Sequence, residues 1–102
     1  MSSPAVSLDF QDSVAVVNLS GDLDLVTADD AESFGITAIQ SVSVSTVMLD
    51  LSEVTFVDST GVSALIAIRN AGIEAGVSVV IGARSVPVSR MLAICGLTEV
   101  FA

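Results

Sequence analysis

The sequence predicts an α/β domain: a mostly parallel, mixed β-sheet of about five strands with helices packed mainly on one face, in the order β-β-α-β-α-β-α-β. Three observations carry this. Short, β-branched apolar runs alternate with longer stretches of helical periodicity, the pattern of crossover connections between parallel strands. Breaks rich in Gly, Pro and Ser separate the two kinds of segment. The chain has 102 residues, 52% hydrophobic and 15% charged, which is enough apolar surface for one core and too little charge for disorder. No internal repeat, linker or low-complexity tract divides it, so residues 1–102 are read as one domain.

The elements follow in order. Val6, Leu8 and Phe10 alternate with Ser7 and Asp9, as in a half-buried strand over 5–10. Gln11-Asp12-Ser13 is a polar turn into a better-buried strand over 14–19, which Ser20-Gly21 closes, so the pair reads as a hairpin. Thr27 with Asp30 fits a capping box, and acids crowd the first turn of a helix carrying Ala31, Phe34, Ala38 and Val42 at helical spacing. Residues 46–51 form a short β-rich run, followed by a loop carrying Phe56 and Val57. Ser59 or Thr60 can cap a second helix, with Val62, Leu65 and Ile66 inward and Gly72 or Gly76 as its end.

Val77 to Ile81 is almost wholly β-branched, as in a strand covered on both faces. Ser85-Val86-Pro87 opens a third helix with Pro in its first turn. Val88, Met91, Leu92 and Cys95 share one face of it, which places Cys95 in the core, and Gly96 is the stop. Glu99 to Ala102 is read as a last strand.

Composition excludes several functions. There are 12 acidic residues, three Arg, no Lys and no His, for a formal charge of −9. Three cations cannot line a phosphate backbone, so no nucleic-acid partner is expected. With no His and one Cys, no His/Cys metal set or His-based hydrolytic triad can be built, so neither cofactor nor catalysis is expected. The start, MSSPAVSLDF, has neither basic nor apolar leader character, and no run approaches the ~20 apolar residues of a membrane span. A cytoplasmic domain without membrane or disulfide is expected. Residues 1–58 hold ten carboxylates and no cation, which suggests an acidic face for a basic partner.

The segment from Asp50 to Ile68 holds the most chemistry. Asp58-Ser59-Thr60-Gly61 opens a helix, where a hydroxyl is exposed on a positive helix end near free backbone N–H groups. By spacing alone such a hydroxyl reads first as a helix cap and second as a phosphate acceptor. Asp58 fits an Asx turn, and Gly61 lets the turn pack tightly. Asp22 and Asp24 either shape the turn after a strand or meet a partner.

Asp-Ser-Thr-Gly at 58–61, with hydrophobic residues before it and Val62-Ser63-Ala64-Leu65-Ile66 after it, resembles the phosphorylation loop of bacterial anti-sigma factor antagonists of the STAS family. Leu19-Ser20-Gly21-Asp22-Leu23-Asp24 resembles that family's L-x-G-E-L-D motif, with Asp22 in place of Glu. Met91 to Leu97 and the element order match as well, so the resemblance spans nearly the whole chain. It implies that the unphosphorylated chain binds an anti-sigma factor that is also a Ser/Thr kinase with a histidine-kinase-like ATP site, freeing a sigma factor. It implies Ser59 as the acceptor, with Thr60 the lesser candidate, and a PP2C-type phosphatase that reverses the switch. Asp24 matches the partner-contacting acid, and Asp22, Asp58, Thr60 and Gly61 complete the expected binding surface. The alternative is a STAS subunit of a transport or stress-signalling complex that is never phosphorylated.

Overall fold

The computed structural model describes residues 5–101. Its elements are β1 (Ala5–Gln11), β2 (Val14–Leu23), α1 (Ala28–Ile39), β3 (Thr46–Val57), α2 (Ser59–Ala75), β4 (Ser78–Arg84) and α3 (Val86–Ile94). The sheet runs β1-β2-β3-β4 in space. β1 and β2 form an antiparallel hairpin in which Gln11 faces Val14, and Asp12 takes the positive φ that its turn needs. β2 pairs with β3, and β3 with β4, in parallel, so α1 and α2 are crossover helices.

Alternation along the strands sets the two faces. Ala15, Val17 and Leu19 on β2, Val47, Leu49 and Leu51 on β3, and Val79 and Ile81 on β4 are buried. They form one cluster with Ala31, Ala38 and Ile39 of α1, Leu65 and Ile68 of α2, and Val88 and Leu92 of α3. Val16, Met48 and Val80, cross-strand neighbours on the other face, are only half-buried. β4 is therefore not covered on both faces, although its β-branched run reads that way. No helix among the described residues is long and apolar enough to cross a membrane.

Four further expectations need correction. The sheet has four strands among the described residues, because residues 98–101 form a turn and Ala102 lies outside them. That turn buries Phe101 and brings its carbonyl 3.5 Å from the Ile81 N–H, so the apolar tail packs without becoming a strand. β2 and β3 run on to Leu23 and Val57 instead of stopping at Ser20-Gly21 and Leu51. Each supplies the other's ladder partners, and irregularities after Asn18 and Gly21 absorb the break signals. Phe34 is exposed and Val42 lies past the helix end, since α1 meets α2 through small residues: a Cβ on Gly35 would sit 2.6 Å from the Ile68 side chain. Cys95 is the exposed C-cap of α3, whose buried residues are Val88 and Leu92.

The same close packing occurs at Gly72, near the end of α2 ahead of the left-handed C-cap Gly76. A Cβ there would lie 2.5 Å from Val79 Cγ2 and 2.7 Å from the Val77 carbonyl oxygen. Gly to Ala inside a helix ordinarily gains up to ~1 kcal/mol, whereas overpacking costs ~1–3 kcal/mol. Backbone at 2.7 Å cannot easily yield, so Gly72→Ala is expected to destabilise by about 1–2 kcal/mol in urea unfolding. A gain in stability would refute the packing argument.

Candidate functional site

In parallel pairing the C-terminal ends of β2 and β3 lie together, with Leu23 beside Val57. Both strands feed helices from that end, so the loop over 24–27 and the start of α2 become neighbours. Their backbones are joined directly: the Asp58 N–H donates to the Leu23 carbonyl at 3.3 Å. Gly61 is buried against the same carbonyl. A Cβ at Gly61 would fall 2.3 Å from that oxygen, so any side chain there would push the two segments apart.

The cap of α2 is Asp58, not Ser59 or Thr60. One carboxylate oxygen accepts from the Thr60 N–H at 2.9 Å, the Gly61 N–H at 3.1 Å and the Thr60 hydroxyl. The Thr60 hydroxyl, then the Gly61 N–H, the Thr60 N–H and the Leu25 N–H, hold the Asp58 carboxyl below its ordinary value of 3.8 against a smaller opposing effect of burial. The two adjacent hydroxyls are thereby separated. The Thr60 hydroxyl donates its hydrogen bond to Asp58, whereas the Ser59 side chain is exposed and makes no hydrogen bond among the described residues. The expected supply of free N–H groups for a phosphate is reduced, because Asp58 already occupies those of Thr60 and Gly61.

The loop from β2 to α1 is locked by a residue that pattern reading assigned otherwise. Thr27 forms no capping box, and its side chain makes no cap hydrogen bond to α1. It is 1% exposed. Its hydroxyl donates to the Asp22 carbonyl at 2.8 Å and accepts from the Asp24 N–H at 3.0 Å. Asp24 is not a bare surface acid either, since its Oδ1 accepts from the Val26 N–H at 3.0 Å. Asp22 lies on β2 opposite Phe56 and accepts from the Thr55 hydroxyl at 3.2 Å. Asp24, Asp58, Ser59, Thr60 and Gly61 thus share one end of the sheet, with Asp22 on the adjoining strand. A groove between the starts of α1 and α2 is lined by Leu25, Asp29, Glu32, Thr60 and Ser63. Leu25 and Val26 escaped sequence reasoning because two residues between a strand and a helix show no periodicity.

A family model of the STAS domain matches residues 5–102. The chain belongs to the STAS-domain family. A solved anti-sigma factor antagonist from Mycobacterium paratuberculosis is 34% identical, with a TM-score of 0.78, and the match covers 97% of this chain and 83% of that one. SpoIIAA, an anti-sigma factor antagonist, is similar in fold in its unphosphorylated form, at TM-score 0.77, 22% identity, and 92% and 83% coverage. Its phosphorylated form, from Bacillus, gives TM-score 0.70, 21% identity, and 91% and 85% coverage. A sulfate transporter family protein from Wolinella succinogenes shares the fold at TM-score 0.74 and 19% identity, over 88% of this chain and 72% of that one.

Two outcomes check this STAS site. Thr27→Val keeps the volume but removes the hydroxyl that bonds the Asp22 carbonyl and the Asp24 N–H. A loss of about 1–3 kcal/mol in urea unfolding is expected, while Thr27→Ser should retain most of the stability. Equal stability of both variants would dismiss the lock. The second concerns pH. A carboxyl held lower in the folded than in the unfolded chain stabilises fully above 3.8 and loses that contribution as pH falls through the folded value. The difference in urea midpoint between wild type and Asp58→Asn should therefore be present at pH 7 and shrink below pH ~4. A difference that stays constant down to pH ~2.5 would show that charge is irrelevant to the cap.

Proposed function

We propose that this STAS domain is an anti-sigma factor antagonist switched at Ser59. The observation that carries this reading is the exposed, unbonded Ser59 hydroxyl held beside a neighbour whose own hydroxyl is tied to Asp58. The 34% identity to an antagonist, and the existence of SpoIIAA in phosphorylated and unphosphorylated forms, support it. The partner is an anti-sigma factor that is also a Ser/Thr kinase with a histidine-kinase-like ATP site. Unphosphorylated chain occupies it and frees the sigma factor.

The switching step asks little of this chain. Ser59 Oγ attacks the γ-phosphorus of ATP, the bond to the β–γ bridging oxygen breaks, and ADP leaves. The hydroxyl proton passes to a base on the kinase, which also supplies the metal. A PP2C-type phosphatase hydrolyses the ester and restores the hydroxyl. The antagonist contributes a positioned hydroxyl and a contact surface, with no catalytic group.

Phosphate adds ~1.5–2 negative charges next to Asp58. Because Asp58 holds the helix-start N–H groups, the phosphate gains no ready-made cradle and projects outward. Release then comes from lost complementarity with the partner and not from a change of fold. A STAS subunit that is never phosphorylated is the competing outcome.

Capture of the partner from native cytoplasm on immobilised chain, followed by ATP with Mg²⁺, tests this. Wild type should release a kinase-like anti-sigma factor, Ser59→Ala should retain it, and peptide mapping should place phosphate on Ser59. Ser59→Glu should melt within about 3 °C of wild type and bind at least tenfold more weakly. Phosphate confined to Thr60, Ser52 or Ser63 would overturn the assignment, as would weak binding of Ser59→Glu explained by unfolding. At Asp24, Asn keeps the acceptor that orders the loop while removing the charge. Asp24→Asn should cost about 1–3 kcal/mol of affinity if a cation of the partner meets it.

A further inference from the structure

We infer that the apolar pair Leu25–Val26 is the anchor by which this chain docks on its protein partner, inserting into an apolar hollow ringed by Arg or Lys. The inference deepens the antagonist reading and rests on it for the partner's identity. Leu25 is 75% exposed and Val26 81% exposed. Single exposed apolar residues are ordinary. Here two are adjacent, and Phe56, 50% exposed, lies at the same end of the sheet.

The loop that displays them is held rigidly. The buried Thr27 ties its hydroxyl to the Asp22 carbonyl and the Asp24 N–H. The Asp24 carbonyl accepts from the Thr27 and Ala28 N–H groups. The Val26 N–H bonds to the Asp24 carboxylate. Such a loop loses little conformational entropy on binding, so its apolar contact converts efficiently into affinity. A mobile loop with the same residues would not.

Position and charge select the occupant. Leu25 shares the groove with Thr60 and Ser63, whose walls carry Asp29 and Glu32, and no Arg lines that groove. All three cations of the chain lie beyond residue 59. An apolar anchor with a charged rim has the layout of a binding hot spot, where the rim excludes water and sets orientation. An anionic lipid surface would repel a chain of net charge −9. A second copy would bring acid against acid. A basic protein surface with a central apolar hollow is the complement. Phosphate on Ser59, within the same patch, would then bring charge into a contact that must be dry.

The test uses the full chain and, as probe, the protein that wild type captures from native cytoplasm, expressed alone. Leu25→Ser/Val26→Ser is expected to melt within about 3 °C of wild type, since both side chains are exposed. It should bind at least 30-fold more weakly. Glu32→Gln should weaken binding about threefold at low salt and not at high salt. Binding of the double variant within threefold of wild type would overturn the anchor, even if the captured protein is an anti-sigma factor and Ser59 is phosphorylated. A captured protein that is not an anti-sigma factor, yet loses the double variant 30-fold, would sink the antagonist reading and support the anchor. Failure of wild type to bind any protein would overturn both.

Discussion

The Asp58 carboxylate holds together the three segments on which the site depends. It accepts from Thr60 and Gly61 at the start of α2, and the Leu25 N–H of the preceding loop adds to the lowering of its pKa. Its own N–H is fastened to Leu23 at the end of β2. One residue thus links strand, loop and helix at a point where the chain reverses direction. Ser59 follows it directly and inherits that placement. The cost of charge beside these groups is low, because every donor facing the carboxylate is one the helix start or loop would otherwise leave unpaired.

That arrangement needs β2 and β3 to end at the same level. Their pairing continues to Leu23 and Val57, past Ser-Gly and Ser-Glu signals that locally favour a break. Gly61 then lets α2 start against the Leu23 carbonyl, and Thr27 turns the loop back toward the sheet through two backbone partners. The interior repeats the theme of close approach. Gly35 faces Ile68 between the two helices, and Gly72 faces Val79 beneath the end of α2. Small residues at these places let the helices approach each other and the sheet closely, and α2 carries Ser59 at its start.

The division of labour between the two hydroxyls bears on regulation. The Thr60 hydroxyl donates a hydrogen bond to the cap, and the Ser59 hydroxyl does not. The carboxylate that makes this distinction also removes the N–H groups that could have welcomed a phosphate. On the proposed reading, a phosphate at Ser59 is read by a partner surface and not absorbed by the fold. The exposed Leu25–Val26 pair lies at that same end of the sheet, so the proposed contact and the proposed modification site are neighbours.

The sequence by itself determined the α/β class, the hairpin, the three helices and the candidate Asp58–Gly61 segment. These rest on local quantities: period, β-branching, turn residues and the Asp-Ser-Thr-Gly and Gly-Asp-Leu-Asp motifs. Asp24, Ser59 and Gly61 were legible as candidate site residues for the same reason. Only the tertiary structure decided where β2 and β3 end, because ladder partners some thirty residues apart outweigh a local break signal. It decided that Asp58 and not a hydroxyl caps α2, since several types of side chain suit a cap and only the backbone conformation selects one. It moved Cys95 and Phe34 from the core to the surface, because helical spacing names a face without stating how wide the buried stripe is. It turned Thr27 from a helix cap into the lock of a loop, and it brought Leu25 and Val26 into view, since exposure is a property of what fails to pack against a residue.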